Sequence, residues 1–428
     1  MAWHKKTDPI RNIGFISTRF QGTDGVSLET EKWVHVLEEM RFNIFYFAGL
    51  SDWDGARLML VPEAFWEHPD VAKVQSQCFG STVRPNALSG EMHRLRNYLK
   101  SKLYDFVKKF DIDMVIVENA VAIPINIPFG LAITEFIAET GIPAIGHHHD
   151  FYWERQRFLV NCVPDYISMA FPPKLPSMSH VVINTEARKA MGYRRGLASV
   201  VIPNVFDFEK PAQEIDEYNK NLRSDLGIED DDIFFLQPTR VVARKGIEHA
   251  VELVNRLKDE RAKLVISHQT KDEGKEYYER VMDYARLMGV ELIIRPDIVG
   301  AKRGTTEDGK KIYSLDDVYP HADFVTYPST YEGFGNAFLE AIFFKKPLLV
   351  NRYSIFQSDI EPIGFEAVIM DTYITDSEVN RVKQILSDDE LREKIVEKNF
   401  KLGEDFFSYD ILEQKLKTIL LNYGEKMY

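Results

Sequence analysis

The sequence predicts an α/β protein built from two consecutive doubly wound, Rossmann-like domains. Three observations lead there. The chain has 428 residues, more than one ordinary core holds. Short apolar runs alternate with stretches of helical periodicity, the pattern of a parallel sheet covered on both faces. The alternation restarts after Asn204, across the polar, acidic stretch "KPAQEIDEYNKNLRSDLGIEDDD".

In the first half, "NIGFIST" (12–18) reads as a buried strand, followed by the glycine loop "RFQGTDGVS" and a helix from about Ser27 to Met40. "NIFYFAG" (43–49), "DMVIVEN" (113–119), "PAIGHHHD" (143–150), "HVVINT" (180–185) and "SVVIPN" (199–204) are further strands, with a helix at 129–140. Val, Ile and Phe dominate each run, as a pleated, buried surface requires. In the second half, "IFFLQPTR" (233–240) is a strand and a helix starts near Gly246. That helix keeps Ile247, Ala250, Val251, Val254 and Leu257 on one face. "AKLVISH", "VELIIRPDIV", "ADFVTYPS" and "PLLVNR" continue the sheet, and "YYERVMDYARLMG" is a helix. The expected domains are 1–205 and 206–403, with a last helix in 404–428.

Composition narrows the function. Hydrophobic residues are 45% of the chain and the net charge is −13, which argues against a nucleic-acid protein with its basic surface. No apolar run approaches the ~20 residues of a membrane span. The start "MAWHKKTDPIRNIGF" lacks the apolar stretch of a secretory signal. Two widely spaced cysteines suggest neither a disulfide framework nor a zinc site, and fit a reducing cytoplasm.

Ligands of open parallel sheets bind beyond the carboxyl ends of the strands. Two loops there carry chemistry. In "PTRVVARKG", Arg240 ends a strand and Lys245 precedes a helix N-terminus; the segment is either a diphosphate cradle or a solvated basic loop. In "STYEGFGNAFLEA", Gly333 and Gly335 let backbone amides approach a ligand, and the following helix presents a partial positive charge. Glu332 sits in the turn and Glu340 in the helix, where a carboxylate can accept two hydroxyl donors of a diol such as ribose. A lone glutamate there would only complement the helix dipole. Two carboxylates around this glycine pattern point to a ligand.

These segments resemble the retaining glycosyltransferases of family 4, whose members include glycogen synthase, sucrose-phosphate synthase and phosphatidylinositol mannosyltransferases. "PSTYEGFGNAFLEA" is similar to their glutamate–seven residues–glutamate motif, "TRVVARKG" to their diphosphate-binding element, and "VIPNVFDFE" to their domain join. "EDFFSYDILEQKLKTIL" resembles the helix that returns to the first domain. The resemblance implies the GT-B fold, two Rossmann-like domains facing across a cleft. It implies that Arg240 and Lys245 neutralise the leaving nucleoside diphosphate. Glu340 would hold its ribose, and Glu332, Gly333, Phe334, Gly335 and Asn336 the donor sugar and phosphates. Gly25 would belong to the glycine loop near the donor, although Thr23 and Asp24 separate it from Gly22 where relatives often have adjacent glycines.

"GHHHDFYWER" ends a strand of the first half. The family carries a histidine there, near the donor sugar; His149, followed by Asp150, fits best, with His148 the rival and a hydrogen-bonded structural histidine the plainer reading. Successive residues of a strand point to opposite faces, so the three histidines do not readily share one ion. No metal ligand is assigned. Arg155 and Arg157, just beyond, either hold an anionic acceptor or are surface cations. "DID" (111–113) reads as a polar turn, and the acidic run at 229–232 as a solvated loop. "HRLRNYLKSKLYDFVKKF" (93–110) is an amphipathic helix that would lie on an anionic membrane or, the favoured reading, on the core.

The resemblance implies transfer of a hexose, with retention, from a GDP-mannose- or UDP-glucose-type donor to a hydroxyl of a small soluble acceptor. "HHHDFYWER" is also similar to enzymes that build glycerate-linked compatible solutes, which suggests an anionic acceptor such as glucosylglycerate. Required cofactors are none; Mg2+ is compatible with the chemistry but not implied by the sequence. A retaining disaccharide phosphorylase and a lipid-linked glycan transferase at a membrane surface are the alternatives on the same fold. A nicotinamide oxidoreductase would show Gly–x–Gly–x–x–Gly after the first strand, and "GTDG" does not supply it.

Overall fold

A computed structural model describes residues 10–22, 25–53, 55–267 and 275–423. Thr23 and Asp24 of the glycine loop, and the first nine residues, lie outside them. The chain divides into two compact units, Met1–Val205 with Tyr409–Tyr428, and Phe206–Ser408.

The first unit holds a seven-stranded sheet of β1 (Asn12–Ile16), β2 (Asn43–Ala48), β3 (Leu58–Leu60), β4 (Met114–Glu118), β5 (Ala144–His148), β6 (Met178–Val182) and β7 (Val200–Val201). Their order is β3-β2-β1-β4-β5-β6-β7, and every pairing is parallel. Side chains of one strand alternate between two cores. Met114 and Ile116 join Trp33, Leu37, Leu412 and Leu416 on one face. Val115 and Val117 join Leu99, Phe106, Phe129 and Phe136 on the other. Burial on both faces is why these strands read as unbroken apolar runs. The helix Asn86–Phe110 buries Leu95, Leu99, Leu103, Phe106 and Val107. Its apolar face is core, not a membrane-binding surface. Among the described residues no helix is long and apolar enough to cross a membrane.

The second unit holds β8 (Ile233–Gln237), β9 (Ala262–Ile266), β10 (Leu292–Ile294), β11 (Phe324–Tyr327), β12 (Leu348–Asn351) and β13 (Val368–Met370), in the order β10-β9-β8-β11-β12-β13 and again all parallel. The helix Ile247–Leu257 buries Ile247, Ala250, Val251, Val254 and Leu257, the face read from its periodicity. Two expectations shorten. "VELIIRPDIV" gives a strand only over Leu292–Ile294, because Pro296 has no N–H for the ladder and the Ile298 and Val299 amides both turn back to the Arg295 carbonyl. The last helix begins at Tyr409: Glu404–Phe407 finish the helix Asp389–Phe407 of the second unit.

Each strand order reverses once, between β1 and β4 and between β8 and β11. Loops leaving such a reversal diverge and open a crevice at the carboxyl ends of the strands. The loops carrying Arg240, Glu332 and the histidine run leave these strands or their immediate neighbour.

Candidate functional site

In the second unit the loop after β8 meets the loop after β11. The Thr330 amide donates to the Arg244 carbonyl (2.8 Å), and the Thr330 hydroxyl donates to the same oxygen (3.2 Å). Gly246 explains the closeness. Its φ is +58°, and a Cβ there would lie 2.5 Å from the Pro328 carbonyl oxygen. Behind the loops, Gln237 donates to Thr239 (2.8 Å) and accepts from Thr326 (2.8 Å), tying the strand ends together.

This lacing brings three of the four charges of the two loops into one cluster. Glu332 is buried and takes Lys245 Nζ on Oε1 and Arg244 Nη1 on Oε2, the latter at 2.7 Å. Arg244 also reaches the Tyr331 carbonyl at 3.2 Å. Burial pushes the Glu332 carboxyl up, but Lys245 and Arg244 outweigh it and hold it below the usual range. Burial pulls the Lys245 amine below its ordinary value, and the Arg244 and Arg240 guanidiniums add to that against the pull of Glu332. The fourth charge, Arg240, is exposed and has no ion pair among the described residues. Arg244 was not singled out in the sequence; it lay inside "RVVARKG", where side-chain direction is not legible.

Beyond Glu332 the chain turns sharply. Gly335 has φ +126°, and a Cβ on it would lie 2.7 Å from Tyr353 Oη and 3.0 Å from Tyr327 Oη. Tyr353 donates to the Phe334 carbonyl (2.7 Å), which fixes the turn from behind. Gly333 and Asn336 flank this turn, and Asn336 opens the helix Asn336–Phe343. Glu340 is half-buried on that helix and accepts from Tyr319 Oη at 3.0 Å.

In the first unit, Gly25 opens the helix Gly25–Glu39 and has nothing within 4 Å of a Cβ position, so packing does not demand a glycine there. The histidine run splits by face. His148 turns to His180 at 2.9 Å. His147 and His149 share the other face with Glu118, the last residue of β4, which pairs in register with His147. The fully buried Glu118 carboxylate meets His147 Nδ1 at 2.9 Å and His149 Nε2 at 3.2 Å. Trp33 stacks on His147 at 4.1 Å. Asn119, with φ +56°, accepts from the His149 amide (3.1 Å) and donates to Asp150 (2.8 Å). Burial pushes Glu118 up, yet His147 and then His149 bring it down to about 2. Burial lowers His149, but Glu118, Glu29 and Asp150 outweigh it and raise it above the ordinary imidazole value.

Among the described residues, Glu118, His147 and His149 are the group whose ligand atoms, all within 4.8 Å, could close on one ion. However, His147 Nε2 is buried without a partner, whereas a metal-bound histidine ordinarily donates its second N–H to an acceptor. No metal ligand is assigned. Glu118 was missed in the sequence, although a carboxylate ending the apolar run "MVIVE" was a visible signal. Arg155 is held by Asp150, its Nε 2.5 Å from Oδ2. Arg157 lies over the Phe158 ring at 4.7 Å. Asp113 accepts from the Arg11 and Asn12 amides, as a structural turn residue does.

Residues 309–402 match the family described as Glycosyl transferases group 1. A mannosylglucosylglycerate synthase of Petrotoga mobilis is 35% identical over 430 aligned positions, covering 92% of this chain and 98% of that protein. A second mannosylglucosylglycerate synthase, of Thermotoga maritima, is 33% identical and covers 96% of this chain and 99% of that protein. Among solved structures, a glycosyltransferase of Rickettsia africae superimposes with a TM-score of 0.68 at 14% identity, over 96% of this chain and 98% of that one. The fold is GT-B.

Proposed function

Because the chain belongs to the mannosylglucosylglycerate synthase family of group 1 glycosyltransferases, we propose that it moves mannose from a nucleotide-mannose donor to a hydroxyl of glucosylglycerate, with retention, in the cytoplasm. Hexosyl transfer from a nucleotide-sugar to a small hydroxyl acceptor is the activity of the family; the two named relatives are synthases, not phosphorylases or lipid-linked transferases. The observation that supports the residue roles is the bond from the Thr330 amide to the Arg244 carbonyl, which sets Lys245 against Glu332 at the strand-order reversal.

Breaking the sugar–phosphate bond builds charge on the leaving diphosphate. Arg240 and Lys245 stabilise that charge where it develops, together with the amides around Gly335. Lys245 has three donors, so it can hold Glu332 and a phosphate oxygen at once. Glu332, Gly333, Phe334 and Asn336 orient the sugar, and the family resemblance gives His149 the same role. Gly25 contributes backbone to the donor, and Arg155 and Arg157 meet the glycerate carboxylate. Orientation by fixed groups lowers the barrier without forming a bond to the protein. No step is assigned to a metal.

A panel of GDP-, UDP- and ADP-sugars with glucosylglycerate, read by nucleoside diphosphate release, tests this. GDP-mannose should give acceptor-dependent release. Turnover with UDP-glucose alone, or with a sugar phosphate and no nucleotide, would overturn it. Glu340 should hold the ribose diol, so Glu340→Gln should weaken nucleoside diphosphate binding about tenfold or more by calorimetry, while kcat changes less.

A further inference from the structure

At the end of β4 and β5 a carboxylate is buried between two imidazoles. Glu29, Glu118 and Asp150 are the acids that face this cluster. Glu29 is paired with Lys32 Nζ at 2.9 Å, and Asp150 with Arg155. Glu118 is fully buried, and among the described residues its carboxylate meets two imidazoles and neither lysine nor arginine. Burial alone would protonate the carboxyl, but the two imidazoles against it hold it below its ordinary range, which puts the compensating proton on a ring. Two observations choose between them. His147 is fully buried, and its Nε2 has no partner to receive a second N–H. His149 keeps about 10% of its side chain exposed, and its Nδ1 has no hydrogen-bond partner among the described residues.

We propose that Glu118 is a positioning residue that holds His149 as an imidazolium, one ring N–H on the carboxylate and the other presented outward to an anionic oxygen of the sugar donor. His147, neutral and stacked on Trp33, donates its Nδ1–H to the same carboxylate and keeps it aimed. Asn119 supports the geometry by capturing the His149 amide and Asp150 together. The cluster thus holds a charged N–H donor in place, its charge balanced by the Glu118 carboxylate behind it. This inference rests on the transferase reading for the identity of the anion, but the protonation state stands apart from it.

The test is a nitrogen-15 NMR titration of the histidine rings, with pH profiles of kcat/KM, in the full chain and in Glu118→Gln. In the natural chain His149 should show both ring nitrogens protonated at pH 7, and kcat/KM should fall as pH rises through its titration. In Glu118→Gln, both the NMR titration and the basic limb of the profile should move together to lower pH by about one unit or more. Glu118→Asp, which keeps the charge, should retain the limb. A neutral His149 at pH 7 in the natural chain overturns the proposal, as does a profile that Glu118→Gln leaves in place. Stoichiometric zinc on His147 and His149 would overturn it too. Should Glu118→Gln fail to fold, the titration of the natural chain decides alone. That titration needs no substrate, so an inactive donor panel and a neutral His149 are separate results.

Discussion

Arg240→Ala should lower kcat by about a hundredfold or more and leave the melting temperature within about a degree of the natural chain. The size follows from removing one preorganised charge opposite a developing anion, which costs on the order of 10²–10³ in rate. The unchanged stability follows from the environment of Arg240. Its side chain is exposed and carries no ion pair among the described residues, so its loss strands no partner. Lys245→Ala is the informative contrast. Lys245 is buried against Glu332, and its removal leaves that buried carboxylate with Arg244 as its remaining cationic partner. Breaking a buried pair is destabilising, so this variant should lose both rate and stability. Steady-state kinetics and calorimetry on the two variants separate the roles. An Arg240→Ala enzyme with kcat within threefold of the natural chain would remove Arg240 from the reaction.

Gly335→Ala should cost about 3 kcal/mol and lower the melting temperature of its unit by roughly 6–12 °C. Two penalties combine. At φ +126° a side chain is strained whatever space surrounds it. There is also no space: the new methyl would sit 2.7 Å from Tyr353 Oη, a buried hydroxyl that donates to the Phe334 carbonyl. Moving Tyr353 aside breaks that bond in an interior that cannot replace it. The same shift displaces the turn Tyr331–Asn336, so turnover should fall about a hundredfold even in the folded fraction. Gly25→Ala is the control, since nothing lies within 4 Å of its Cβ position and it should melt like the natural chain. Thermal melts that place Gly335→Ala beside that control would refute the account of the turn.

How far the sequence could be read differs between the two loops and the histidine strand. Lys245, Glu332, Gly335 and Glu340 were recognisable because turn, glycine and helix start are written in consecutive residues. Arg244 was not, since its neighbours in "RVVARKG" say nothing about which way a guanidinium turns. The strand at 290–299 was overread because apolar residues on both sides of Pro296 look continuous in one dimension. The helix 93–110 was read correctly, since its apolar spacing is local and its partner face needed only to exist.

Local patterns in the chain were enough to determine alternating strands and helices, a restart after Asn204, and a glycine turn between two carboxylates. Tertiary structure alone decided that Glu118 would lie beside His147 and His149, and that Arg244 would turn onto Glu332. The reason is physical. Periodicity and turn chemistry act over a few neighbouring residues, whereas these contacts join groups 29 to 88 positions apart through parallel strand pairing and through the approach of two loops. Protonation follows the same division. An imidazole's identity is covalent, but the charge it carries depends on which buried carboxylate the fold sets against it.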